Sequence, residues 1–145
     1  MFNSTKLIEL GSCAFRQPRA DSHCKYLHGY QLKAKFWFEA DSLDANHWVV
    51  DFGGLKELES WLRSNFDHKT LVASDDPKLS DFESLGKNGI IDLIVVESTG
   101  AEMFAKMAMD YSTKLIAENY GERCWVESVT VREHGANSAK CVREI

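Results

Sequence analysis

The sequence predicts an α+β domain, with antiparallel strands carrying helices on one face. Three observations lead there. Residues 31–40 alternate, with Leu32, Ala34, Phe36 and Phe38 on one side and Lys33, Lys35 and Trp37 on the other, the period of a half-buried antiparallel strand. Two other stretches repeat apolar residues at helical spacing: Leu55, Leu58 and Leu62 with Trp61 beside them, and Phe104, Met107, Ala108, Tyr111 and Leu115. The elements then run strand, strand, helix, helix, strand, strand, the order of helices segregated to one face of a sheet.

Residues 6–15 read as the first strand. A loop follows, FRQPRADSHCKYLHGY, rich in turn formers and in reactive side chains. After the alternating strand, residues 42–46 form a turn and residues 47–52 a return strand, so that the two strands make a hairpin. Residues 54–65 are helical and lead directly to Asp67 and His68. Asp75, Asp76 and Pro77 mark a turn, residues 78–87 a short helix, and residues 90–96 either a strand or a buried connection. Thr99 and Glu102 have the spacing of a capping box that opens the second long helix, and Gly121 stops it. Residues 124–133 form a strand with Val129, Val131 and Glu133 on one face, and residues 138–142 the last strand. Helices cover one sheet face; covering the other predicts self-association.

The 145 residues suit one domain, residues 1–145, and 44% hydrophobic content supports a core. A formal net charge of -5 argues against nucleic acid as a partner. The N-terminus has no signal-peptide pattern, and the apolar run at residues 90–96 is too short to cross a membrane and contains Asp92. The expectation is a cytoplasmic protein whose four cysteines, Cys13, Cys24, Cys124 and Cys141, are free thiols.

Three constellations carry chemistry. Cys24 precedes His28 by four residues, with Gly29 next to it. This suits a nucleophile or base beside a ligand-binding imidazole, or equally a buried thiol and a loop histidine at a strand start. Asp67 adjoins His68, and a carboxylate there can orient the ring and raise its basicity; a solvated helix end would look the same. Glu133 ends an apolar strand face, where a carboxylate could hold the N–H edge of a ligand such as a pterin by two parallel hydrogen bonds, or pair with Arg132 or Lys140.

Taken together and in order, these residues resemble the 6-pyruvoyl- and 6-carboxytetrahydropterin synthase family. The family's Cys-x3-His-Gly-His is similar to Cys24-x3-His28-Gly29-Tyr30, its Asp-Phe-x-x-Leu-Lys to Asp51-Phe52-Gly53-Gly54-Leu55-Lys56, and its Asp-His to Asp67-His68. Its Pro-Thr-x-Glu is weakened to Thr99-Gly100-Ala101-Glu102, and its pterin-anchoring glutamate matches Glu133. The resemblance implies a tunnelling fold, trimers closing a barrel and pairing into a hexamer, and sites between subunits. It implies a lyase acting on 7,8-dihydroneopterin triphosphate. Cys24, Asp67 and His68 would move protons, and Glu133 with Glu102 would bind substrate. Arg16, with Arg19 and Lys25 close in sequence, suits the triphosphate.

The family holds Zn(II) with three histidines, and here the pattern breaks. His28 is retained, but Tyr30 stands at the third ligand position, and a phenol must lose a proton before it can bind zinc. The first position falls on Cys13 by ungapped counting or on Phe15 when Arg16 anchors the alignment; His23 is a spare imidazole. Three readings follow: the family lyase, a pterin enzyme with metal-independent side-chain chemistry, and a non-catalytic pterin-binding module. The expectation for the metal is little zinc.

Overall fold

A computed structural model describes residues 1–145. Three strands set the frame. β1 (Phe2–Phe15) and β2 (His28–Ala40) pair antiparallel along their length, and β5 (Cys124–Arg132) pairs antiparallel on the other side of β2. β6 (Ser138–Val142) adds to β5. On the other flank, β3 (Thr70–Ala73) runs parallel to β1, and β4 (Leu93–Val96) parallel to β3. The order is β4-β3-β1-β2-β5-β6, and this mixed sheet curls into half a barrel.

Alternation decides the faces. Leu32, Ala34, Phe36, Phe38 and Ala40 are fully buried, as are Val129 and Val131 on β5. Over this face lie α1 (Lys56–Phe66), against β1, and the 20-residue α3 (Ala101–Tyr120), against β5 and β6. α1 contributes Leu58, Leu62 and Phe66; α3 contributes Phe104, Ala105, Ala108, Leu115 and Ile116. Trp61 and Tyr111 stack with ring centroids 4.0 Å apart where the two helices meet. α2 (Leu79–Lys87) packs beside β3 and β4.

Four expectations need correction. First, residues 47–52 are not a strand, and there is no hairpin with β2, whose two edges are already taken by β1 and β5. The segment is held by side chains instead. Asp44 accepts from the amides of Asn46 and Trp48, and the Arg123 guanidinium donates to the carbonyls of Ser42 and Val49. Val49 and Val50 still reach the core.

Second, the sheet is mixed rather than antiparallel. The four buried residues of β3 give no alternation to read, and its parallel partners are set by a helical crossover. Third, no capping box opens α3: Gly100 is its N-cap, and the Thr99 hydroxyl donates instead to the Arg16 carbonyl, 2.6 Å away. Fourth, the uncovered sheet face is mixed, with Leu7 and Trp37 set among charged side chains. It carries Lys33, Lys35, Thr130, Arg132 and Lys140, so its solvation alone does not call for a partner. No helix is long and apolar enough to cross a membrane.

Candidate functional site

The site grows from one end of the sheet, where β1 finishes, β2 begins and β5 finishes. Pairing sets Phe15 opposite His28 and Cys13 opposite Tyr30. All four share the helix-side face. Phe15 is fully buried and joins an aromatic chain: its ring lies 5.0 Å from Phe104, which lies 5.3 Å from Phe66. Toward the surface the chain continues through His28, 4.9 Å from Phe15, and Tyr30, 5.3 Å from His28. His134 follows, 5.9 Å from Tyr30.

Hydrogen bonds fix the imidazoles. His28 Nδ1 lies 2.7 Å from the Tyr26 carbonyl, which can only accept, so Nδ1 carries a proton, and in that tautomer Nε2 presents a lone pair. His134 Nδ1 accepts from the Ala136 amide at 3.2 Å, which leaves its Nε2–H as a donor. The Tyr30 phenol is held above its ordinary pKa, first by burial and then by the negative charges of Glu133 and Cys24. Of the expected site residues, Tyr30 lies in direct ring contact with His28. Cys13 is buried beside them, and burial pushes its thiol up to about 12. All four cysteines are free.

Cys24 sits in a single turn of 3-10 helix, His23–Lys25, capped by Ser22, whose hydroxyl accepts from the Cys24 amide. His23 is exposed and Cys24 half-buried. The Cys24 carbonyl accepts from the Gln17 amide, closing the loop on itself.

Asp67 and His68 form a second group at the free edge of β1. Asp67 Oδ1 accepts from His68 Nδ1 at 2.8 Å and from the Ser12 amide at 3.3 Å, and the His68 amide donates to the Ser12 carbonyl at 2.6 Å. His68 takes a positive φ of 60°, unusual for a residue with a side chain, and its imidazole is 86% exposed with Nε2 outward. A bulge between Glu9 and Gly11 makes room for this pair. Gly11 has φ +91°, and a Cβ there would stand 2.1 Å from Asp67 Oδ1. A lone glycine inside a strand pattern is the sequence signal for such an approach. No hydrogen bond joins this pair to Cys24 within one chain.

Arg16 does something the sequence did not suggest. Its Nε and Nη2 grip both oxygens of Asp76 at 2.9 and 2.7 Å, and Nη1 donates to the Lys25 carbonyl at 3.0 Å. The Asp76 side chain is fully buried, and the guanidinium holds its carboxyl below the usual carboxylate range. Arg19 pairs with Asp75, and Glu102 is exposed in the first turn of α3. His134 was missed from the sequence; only its place beside Glu133 hinted at it.

The donor set can be weighed against zinc. Phe15 has no donor atom, Tyr30 keeps its proton, and His28 offers one nitrogen. No three His, Cys, Asp or Glu side chains converge as a metal requires. These residues do not fit a three-ligand zinc site. The best-formed cavities of the single chain lie elsewhere, and none of these five is lined by Cys24, His28, Tyr30 or Glu133.

Comparison with known proteins gives consistent results. The family model for 6-pyruvoyl tetrahydropterin synthase matches residues 10–144. The 6-carboxy-5,6,7,8-tetrahydropterin synthase of Rickettsia conorii is 30% identical over 80 residues, 54% of this chain and 57% of that protein. The Rickettsia bellii protein of the same name is 35% identical over 80 residues, with the same coverage of 54% and 57%. The matched region spans little more than half the length of these curated relatives. Among solved structures, an uncharacterized protein from Wolinella succinogenes superposes with a TM-score of 0.85 at 17% identity, covering 99% of this chain and 98% of the other. The Plasmodium vivax 6-pyruvoyltetrahydropterin synthase superposes with a TM-score of 0.70 at 17% identity, each chain covered fully. Identities this low speak for the fold.

Proposed function

The chain belongs to the 6-pyruvoyl tetrahydropterin synthase family, and on that premise we propose that it is a pterin lyase working without a resident zinc ion. The substrate is 7,8-dihydroneopterin triphosphate. The observation that carries this reading is the contact set Phe15, His28 and Tyr30, with the His134 ring beside Tyr30. On the alignment anchored by Arg16, the proton-transfer set would stand beside two aromatic rings, Phe15 and Tyr30, where the family has zinc ligands.

Glu133 accepts two N–H groups from the pterin edge, fixing the ring. Cys24 takes a proton from the side-chain carbon. His68, as an imidazolium whose Nδ1–H is held by Asp67, gives its Nε2 proton to the departing oxygen and is left as the neutral ring. The Tyr30 phenol, kept protonated, donates to the side-chain oxygen as negative charge develops there. Glu102, in the first turn of α3, would bind substrate as the resemblance implies, and Arg16 would serve the triphosphate only by sharing its charge with Asp76.

Two features support a homo-oligomer, with a hexamer the form the family implies. The site is open on a single chain. The outer edge of β6, and most of β1 on the side away from β2, have no strand partner, so copies can join edge to edge in a ring. In such a ring the Asp67–His68 pair at the β1 edge meets the Cys24 and Glu133 group of the neighbour.

Product analysis after incubation with 7,8-dihydroneopterin triphosphate, with and without chelator, tests the reading. Turnover that resists chelation, with far less than one zinc per chain, is expected. One zinc per chain and activity abolished by chelation would overturn the zinc-free mechanism. No product under either condition, with pterin still bound, would favour the binding module.

A further inference from the structure

The uncovered face of the sheet, opposite His28, Tyr30 and Glu133, holds a second constellation that the lyase reading does not use. Two adjacent rows of the ladder carry it. Leu7 lies opposite Lys35, Lys35 opposite Thr130, and Thr130 opposite Lys140; in the next row Glu9 lies opposite Lys33 and Lys33 opposite Arg132. Leu7, Lys33, Lys35, Trp37, Thr130, Arg132 and Lys140 line a shallow cavity of about 200 Å³.

The charge lining the cavity is unbalanced: Lys33, Lys35, Arg132 and Lys140 line it and no carboxylate does, while Glu9 beside it accepts from Gln31 and lies 3.5 Å from Lys33 Nζ. Lys33 and Arg132 are direct cross-strand partners, an arrangement of like charges that costs stability when nothing lies between them. On a chain of net charge -5, such clustering is not a by-product of composition. Lys35 and Lys140 are further gathered by Trp37, with ammonium nitrogens 4.6 and 5.4 Å from its ring centroid. The ring thus draws two cations from different strands over one spot, with the Thr130 hydroxyl between them.

We propose that this face binds a small inorganic polyphosphate, gripped by Lys35 and Lys140 and flanked by Lys33 and Arg132. Strands about 4.8 Å apart and alternate residues about 7 Å apart give a patch matched to a few linked phosphates. A nucleic acid is repelled by the rest of the surface. A base also finds no free aromatic face, because Trp37 is capped by the two ammonium groups.

Inorganic tripolyphosphate titrated into the full-length protein, followed by calorimetry and tryptophan fluorescence, tests this. Saturable binding is expected that weakens with added salt, and that is stronger than binding of pyrophosphate or phosphate. Lys35→Gln and Lys140→Gln should each weaken it at least tenfold, Lys114→Gln should leave it unchanged, and circular dichroism should show all variants folded. Absence of saturable binding at millimolar tripolyphosphate would overturn the proposal. So would binding that survives in the Lys35→Gln/Lys140→Gln double variant, which would assign the anion to Arg19 and Lys25 on the Cys24 loop. Pterin affinity is measured in the same variants: its persistence when tripolyphosphate binding is lost separates this site from the lyase site.

Discussion

Replacing Gly11 with alanine should dislodge the Asp67–His68 pair while leaving the rest of the sheet in place. The new Cβ would stand 2.1, 2.4 and 2.6 Å from Oδ1, Cγ and Cβ of Asp67, all inside contact distance. The carboxylate must therefore move, losing its bond to the Ser12 amide. The backbone adds its own cost, because φ at Gly11 is +91°. Positive φ costs about 1–2 kcal/mol for a residue with a side chain, and forced displacement of packed atoms about 1–3 kcal/mol. The expected destabilisation is thus about 3 kcal/mol, or roughly 6–12 °C in Tm for a chain of this size. Gly89→Ala provides the control: φ there is +73°, and nothing lies within 4 Å of the added Cβ. Urea denaturation of both variants, and of Gly11→Ala in an Asp67→Gly background, separates strain from clash. If Gly11→Ala costs no more than Gly89→Ala, or costs the same with and without the Asp67 side chain, the close approach does not hold the pair.

Glu133→Gln should weaken pterin binding by about 1.5–3 kcal/mol, as expected for a hydrogen bond to a charged group; unchanged affinity by calorimetry would make Glu133 a strand-end residue only. Tyr30→Phe should lower kcat about 100-fold with little change in KM, the usual size for losing one donor to a developing oxyanion. Phe15→His/Tyr30→His should gain zinc by elemental analysis, since it sets three imidazoles on paired positions; failure in a folded variant would count against the idea that the missing donors account for the poor fit to zinc. Arg16→Ala should destabilise by about 3 kcal/mol by leaving Asp76 buried and unpaired. The Asp76 carboxyl is depressed on folding, so its contribution is present above the unfolded value near 3.8 and fades as pH falls toward the folded value; acid denaturation of Asp76→Asn should show a shallower loss there.

The alternating strand was legible because its two faces meet different solvents, and Lys33, Lys35 and Trp37 alternate with residues that are fully buried. α1 and α3 were legible for the same reason at helical period. β3 was not, since all four of its residues are buried and a uniform run carries no period. The false strand at residues 47–52 came from two valines that do enter the core, on backbone held by Asp44 and Arg123, which are remote in sequence or act through side chains. At the candidate site, Cys24, His28 and Glu133 could be named from motif order. His134 could not, because its place beside Tyr30 depends on the turn between β5 and β6. Arg16 read as a free cation because its partner lies 60 residues away.

Arg16 also has a bearing on the order of synthesis. Its side chain ties Asp76 to the Lys25 carbonyl, and its own carbonyl receives the Thr99 hydroxyl, across sequence separations of 60 and 83 residues. The segment carrying Cys24 therefore cannot be fully fastened while the ribosome has released only β1 and β2. It gains its last tether only when the start of α3 has emerged. Until then the thiol belongs to a loose loop, and afterwards to an anchored one. Fastening of the Cys24 loop is thereby tied to the emergence of α3, through a single guanidinium and one hydroxyl.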